Sequence, residues 1–449
     1  MRSLQGPPIP DKVGLESRGQ TNLQGISVKA AHDKTHRFEN LYRCLNEEHL
    51  LESWRKLNKQ ASAGVDKVTA LEYQASLQEN LHRLVSKLKN QEYRTRLIKR
   101  KYIPKANGKQ RPLGIPVLED RLLQSGAASL LSAIYEEDFL PNSFGYRPGR
   151  GSRETSKALA FNLQKGRFGY VVEADIKGFF DHLQHDWLME MLEQRIQDGA
   201  FLGLIDKWLK GGILETDGRV IHPESGTPQG GVISPILANI YLHYVLDLWF
   251  EKVVKPHCRG KIMLIRYADD FVCAFEYESD AQRFYRVLPK RLAKFGLSVA
   301  PEKTRIHRFS RFEPSKERSF CFLGYEFYWE PDSRGIARVW RRTAPKKLRE
   351  SISAFKAWVR EHRHESVQVL LRTTKQKLTG HYNYFGVIGN HKAIVRYHGA
   401  LMRLLHKWLN RRSQRRGMTW EKLERLVKMF NFPVPRCTEP KGGKMWVLA

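Results

Sequence analysis

The stretch Ile262–Phe275, IMLIRYADDFVCAF, constrains this chain more than any other. Two apolar, β-type runs flank Ala268-Asp269-Asp270, so the segment reads as a hairpin whose tip carries two carboxylates. An Asp-Asp pair alone is most often a solvated turn. Apolar flanks make that explanation less natural, because such strands belong in a core. A second short apolar run, Tyr170–Asp175 (YVVEAD), also ends on an acid. Between the two, a helix from about His185 places Trp187, Leu188, Met191, Leu192 and Ile196 on one face. Another follows Pro235, with Leu237, Ile240, Tyr241, Tyr244, Val245 and Leu248 apolar. After the hairpin, residues 281–295 read as helix and residues 297–299 as a short strand. The order β-α-β-β-α-β is the ferredoxin-like split unit, whose central strands lie side by side. Asp175, Asp269 and Asp270 can then converge. Hard cations such as Mg²⁺ want carboxylate oxygen, and two of them about 3.5–4 Å apart can neutralise both oxygens of a phosphoryl transfer.

Charge narrows the partners. Lys and Arg number 77 against 47 Asp and Glu, a formal charge of +30. A surface so charged repels itself unless a polyanion neutralises it. No apolar run is long enough to span a bilayer and no signal-peptide core follows Met1, so nucleic acid is favoured over membrane. The five cysteines form no C-x-x-C pair, which leaves a zinc site without support and fits a reduced, cytoplasmic chain.

The motifs around the hairpin are specific in combination. Tyr267-Ala268-Asp269-Asp270 is preceded by Thr227-Pro228-Gln229-Gly230-Gly231-Val232-Ile233-Ser234-Pro235, with Leu237-Ala238-Asn239 following. Upstream lie Glu173-Ala174-Asp175-Ile176-Lys177-Gly178-Phe179-Phe180-Asp181, Ser143-Phe144-Gly145-Tyr146-Arg147-Pro148-Gly149, Ile103-Pro104-Lys105 through Arg111-Pro112-Leu113-Gly114-Ile115-Pro116, and Ala63-Gly64-Val65-Asp66. Phe322-Leu323-Gly324-Tyr325 closes the series. In this order, over roughly residues 40–327, the blocks resemble those of bacterial group II intron reverse transcriptase/maturases.

The resemblance implies an α+β polymerase right hand: fingers and a ferredoxin-like palm over residues 31–335, then an all-α thumb or maturase domain over 336–449. It implies RNA-directed DNA synthesis on an RNA template with a DNA primer and dNTP substrates, using two Mg²⁺ ions, with Mn²⁺ as the alternative. Asp175, Asp269, Asp270 and the Ile176 carbonyl would bind the metals. Lys105 and Arg111 would hold the triphosphate, Gln229 would pack near the nucleotide, and Phe180 would lie under its sugar and exclude a 2'-hydroxyl. The group II intron RNA would be a further partner, bound to assist splicing and retrohoming.

The remaining segments add two expectations. Residues 1–30 are rich in Gly, Pro, Gln and Ser without periodicity and read as a loose tail. Beyond Ala337 the chain reads as nearly all helix. From Arg341 to Trp420 there are 19 Lys or Arg against 3 Asp or Glu, more than half the net charge in under a fifth of the chain. Leu378-Thr379-Gly380-His381-Tyr382-Asn383-Tyr384-Phe385-Gly386 resembles the family's maturase domain. Arg411, Arg412, Arg415 and Arg416 are the densest cluster, suited to sequence-independent phosphate contact. With Cys437 alone after Trp420, no Cys- and His-bearing endonuclease is expected. The rival readings are a maturase that has lost polymerisation, which the intact acid triad argues against, a polymerase domesticated for another role such as phage defence, and an RNA-dependent RNA polymerase.

Overall fold

Strict alternation on three neighbouring strands organises the centre of the molecule. The computed structural model describes residues 23–104, 110–228, 230–315, 317–412, 417–440, 442 and 448. Its central sheet has five strands in the spatial order Ser143–Phe144, Ile262–Tyr267, Asp270–Phe275, Tyr170–Asp175, Arg305–Arg308. Successive side chains leave a strand on opposite faces. Val172, Leu264, Phe271, Cys273 and Phe275 accordingly enter one core, while Val171, Met263, Ile265, Val272 and Ala274 enter another. A sheet buried on both faces explains why these strands read as continuous apolar runs.

The first core is closed by the helices Leu118–Tyr135, His185–Glu193, Ser234–Leu242 and Glu278–Ala293. The second is closed by the helix Ser152–Lys165 and by a three-stranded antiparallel sheet, Phe320–Phe322, Tyr325–Pro331 and Ala337–Thr343, that contributes Phe320, Phe327 and Trp329. A hairpin of Ile98–Pro104 with Gln110–Ile115 forms the fingers; Ile98 also pairs in parallel with Ile213. The helices Pro345–Glu361, Val367–Phe385, His391–Asn410 and Trp420–Met429 make a bundle with its own core of Leu348, Phe355, Leu371, Leu378, Leu401 and Leu405. The architecture is α+β, with fingers, palm and a helical thumb. Among the described residues no helix is long and apolar enough to cross a membrane.

Three local expectations differ from the structure. Residues 297–299 form only a single bridge, Val299 to Ile176, and the outer palm strand is Arg305–Arg308. Ala337–Thr343 is a strand rather than the start of helix; its pairing with Tyr325–Pro331 satisfies its backbone, and helix begins at Pro345. Leu23–His32 is a helix rather than tail. It is held by Arg195, whose guanidinium donates to the carbonyls of Ala30, Asp33 and His36 and pairs with Asp138 at 2.9 Å. The rest of that segment, residues 1–22, lies outside the described residues.

Arg195 is buried, so its removal leaves Asp138 with only the more exposed Lys34, 3.6 Å away, and takes this donor from three carbonyls. Arg195→Ala should cost about 3–5 kcal/mol in urea unfolding and should speed amide exchange throughout Leu23–His32. Exchange in that helix at the wild-type rate would disprove the anchoring.

Candidate active site

The hairpin tip is built from a buried arginine. Arg266, fully buried on the strand Ile262–Tyr267, donates to both carboxylate oxygens of Asp247 at 2.9 and 2.6 Å, to Asn239 Oδ1 at 2.9 Å and to Ser143 Oγ at 2.7 Å. Its remaining bond, 3.0 Å, reaches the Ala268 carbonyl and fixes the turn itself. Asp247 reaches this position because the helix from Ser234 continues into a wider, π-type turn over His243–Asp247. On the other side the Ala268 N–H donates to the Phe144 carbonyl at 3.1 Å. Gly145, with φ 79°, permits that approach; a Cβ there would stand 2.7 Å from the Ala268 nitrogen. Ala268 itself adopts φ 54°, a strained value for a residue with a side chain.

The turn delivers the acids together. Asp270 pairs with Tyr267 across the hairpin and with Asp175 on the neighbouring strand. Burial, then repulsion from Asp269 and Asp175, pushes the Asp270 carboxyl up to about 7. Asp270 opens to the groove, where the charges of Asp269 and Asp175 bear on it directly. Burial and Asp175 also raise Asp269, opposed by its own backbone N–H, Arg111 and Arg266. Lys303 answers part of the excess charge, its Nζ 2.7 Å from Asp175 Oδ2. Among the described residues no trio of Asp, Glu, His or Cys is already drawn into a closed coordination shell. The donor set nevertheless suits a hard divalent cation: carboxylate oxygens that repel one another and are only partly compensated by an ammonium. The Ile176 carbonyl is well placed to join them. In its bridge to Val299 the hydrogen bonds use the Asp175 carbonyl and the Lys177 N–H, so Ile176's own polar groups face the other way, towards the strand of Asp270.

The groove beside these acids, about 570 Å³, is lined by Asp175, Asp270, Lys303 and the turn Leu323–Gly324. The larger groove of about 1180 Å³, beside Arg43, Lys89 and Asp198, contains none of the candidate residues. Size therefore does not locate the chemistry.

The neighbouring residues divide as follows. Arg111 lies within electrostatic reach of Asp269. Phe179 is buried in the first core against Tyr241, whereas Phe180 is half-buried. The Phe180 carbonyl accepts from the Thr227 N–H at 2.8 Å, which ties the Asp175 loop to the loop that continues into Gly230. Lys105 and Gln229 lie outside the described residues, as do Arg415 and Arg416. Arg411 covers the Trp408 ring at 5.3 Å, and Arg412 donates to the Glu365 and His364 carbonyls. Those two arginines are thus already partly engaged within the bundle.

Sequence reasoning missed Arg266, Asp247, Lys303 and Tyr146. Tyr146 is exposed, holds φ 55°, and lies close enough to Asp269, Arg111 and Asp270 to feel their charge. For Tyr146 the available signal was its place between Gly145 and Pro148, a turn context. For Arg266 it was a lone charge inside an apolar strand.

Comparison with known proteins points one way. The family model described as "Reverse transcriptase (RNA-dependent DNA polymerase)" matches residues 103–327. Protein YkfC of Escherichia coli is 31% identical over 369 residues, which cover 74% of this chain and 94% of that protein. Group II intron-encoded protein LtrA of Lactococcus lactis subsp. cremoris is 40% identical over 176 residues, 38% of this chain; the match spans 29% of LtrA. A 91 kDa protein in the cob intron of Schizosaccharomyces pombe is 36% identical over 278 residues, covering 50% of this chain and 34% of its own length.

Asp247→Ala would strand the Arg266 guanidinium, fully buried, without its counter-charge. The expected loss is about 3–5 kcal/mol in urea unfolding. Arg266→Met with Asp247→Leu should recover most of it, yet leave the amide of Asp269 exchanging faster than in the wild type. Equal exchange in that double variant would show that the arginine does not hold the turn.

Proposed function

Because the chain belongs to the reverse transcriptase (RNA-dependent DNA polymerase) family, we propose that Asp175, Asp269 and Asp270 are the acids through which it extends a primer 3'-hydroxyl on an RNA template. The protein is an RNA-directed DNA polymerase. The observation that carries the site assignment is the register of Asp175 opposite Asp270, with Asp269 adjacent on the turn. With the Ile176 carbonyl, these acids would hold two Mg²⁺ ions, or Mn²⁺, which supply charge neutralisation at the attacking and leaving oxygens.

The chain's own residues do the rest. Arg111, joined by Lys105, draws in the triphosphate of a dNTP and stabilises charge on its phosphates. Gln229 and the backbone at Gly230 and Gly231 pack near the nucleotide. The Phe180 ring occupies the space that a ribose 2'-hydroxyl would need; its half-exposed position, beside a buried Phe179, supports that choice. In this reading residues up to Thr343 form fingers and palm, and the bundle from Pro345 is the thumb and maturase domain. Its basic surface, with Arg411, Arg412, Arg415 and Arg416, grips RNA backbone. The likeness to a protein named as group II intron-encoded supports a group II intron RNA as partner, with splicing and retrohoming as the wider role; this reading implies the cytoplasm as the place.

Two experiments test this. Asp269→Ala should lower primer extension on RNA at least about a hundredfold while still stimulating splicing of the intron RNA at low Mg²⁺. Extension near the wild-type rate would remove Asp269 from the site, and a wild-type protein that binds the RNA without stimulating splicing would remove the maturase role.

Phe180→Val should admit ribonucleotides. A buried hydroxyl without a partner costs about 1–3 kcal/mol, so desolvation alone supplies roughly five- to a hundredfold discrimination, and steric overlap adds to it. Single-nucleotide incorporation should show that discrimination lost in Phe180→Val and kept in Phe179→Val, whose main defect is a core cavity. The reverse pattern would move the gate by one residue.

A further inference from the structure

A strained hook stands beside the acid turn. Phe144 pairs in parallel with Tyr267, and one residue further on Gly145 abuts Ala268. Tyr146 thereby comes level with Asp269. Its backbone holds φ 55°, a costly value for a residue with a Cβ. The surroundings over-determine that conformation. The Gly145 N–H donates to the Arg150 carbonyl at 3.1 Å, and the Arg150 N–H to the Arg147 carbonyl at 3.2 Å. The Gly145 carbonyl accepts from Asn239 Nδ2 at 3.0 Å. Arg147 is buried and spends its guanidinium on Glu136 and on the Leu140 and Ser143 carbonyls.

What the hook presents is a phenol. Tyr146 is 56% exposed, and among the described residues no hydrogen bond takes up its hydroxyl. The side chain lies near enough to Asp269, Asp270 and Arg111 to feel their charge, so it faces the reacting groups. A neutral phenol has one hydrogen to donate.

Sheet order decides which reactant it meets. The strand Ser143–Phe144 lies at one edge, and the strand Tyr170–Asp175 is three places away, with the acid hairpin between them. Three interstrand spacings are roughly 14 Å, wider than one nucleotide sugar. Phe180, which follows Asp175, and Tyr146 therefore stand on opposite flanks of the acids. The incoming nucleotide has Phe180 under its sugar. The other flank falls to the other reactant, the nucleotide that bears the primer 3'-hydroxyl.

We propose that Tyr146 reads the terminal base pair of the primer, its hydroxyl donating to the minor-groove acceptor of the primer's last base. The inference rests on the polymerase reading and on the assignment of Asp269. Purine N3 and pyrimidine O2 occupy the same place in a correct pair, so one donor serves every base. The minor groove of an A-form hybrid is wide and shallow enough for a side chain to reach the base edges. A mispaired end carries the acceptor out of line. Detecting so small a shift requires a donor held to within about 0.5 Å, which accounts for the strain and the clamps of the hook.

The test is primer extension on an RNA template with the correct next dNTP. The primers end in matched deoxyadenosine, in matched 3-deaza-2'-deoxyadenosine, which pairs normally but lacks the N3 acceptor, or in a mismatched base. Wild-type protein should extend the 3-deaza end about tenfold more slowly than the natural one. Tyr146→Phe should extend the natural end about tenfold more slowly, show no further loss on the 3-deaza end, and narrow the ratio of matched to mismatched extension about tenfold. A merely structural defect slows all three ends alike and keeps both ratios. That result, or a wild type indifferent to the 3-deaza end, would overturn the inference and leave the polymerase reading standing. So would a loss confined to the KM for dNTP, which would assign the phenol to the incoming nucleotide. A wild type that extends no primer would overturn the polymerase reading, and this inference with it.

Discussion

The ion pair of Arg266 and Asp247 is the constraint on which the rest of the site depends. Two full charges are withdrawn from water at the centre of the protein, and only complete pairing makes that tolerable. Every remaining donor of the guanidinium is used: one on Asn239, one on Ser143, one on the Ala268 carbonyl. Four residues, Ser143, Asn239, Asp247 and Ala268, are thereby locked to one planar group. A lysine could not replace it, because an ammonium has neither the fork that spans a carboxylate nor the reach to the turn. The acids at the tip are held by the geometry of a residue that never meets solvent.

Much of this was legible in the sequence, because the acids sit at the ends of apolar runs. Asp175, Asp269 and Asp270 could be brought together from strand order alone, and the register bears that out. Arg266 was not legible. A charge inside an apolar strand points to a partner, yet Asp247 lies nineteen residues earlier on a helix whose pitch changes locally, and no periodicity announces a π-type turn. Ala337–Thr343 was hidden for another reason. Its arginines at 338, 341 and 342 resemble the basic helices that follow, while its strand character comes from pairing with Tyr325–Pro331. The helix Leu23–His32 was hidden by its weak amphipathicity; it is recruited by Arg195, a tertiary partner far along the chain. The split between Phe179 and Phe180 also needed the structure, since adjacent aromatics are equivalent in sequence.

The charges around the acids are graded rather than cancelled. Lys303 touches Asp175, Arg111 and Arg266 act on Asp269 from a distance, and Asp270 is left with the most repulsion. Such a site is short of positive charge by design of its neighbours, which is the condition under which divalent cations bind to oxygen ligands.

The junction between palm and bundle has a mechanical consequence. Tyr384, near the end of the helix Val367–Phe385, donates its hydroxyl to the Leu323 carbonyl at 3.0 Å, while Tyr325 donates back to the Tyr384 carbonyl and the two rings stack at 5.8 Å. Leu323 and Gly324 both hold positive φ, so this turn has little freedom to adjust alone. Helix and turn therefore behave as a crank: a tilt of the bundle about its base is delivered as a displacement of the turn that lines the acid groove.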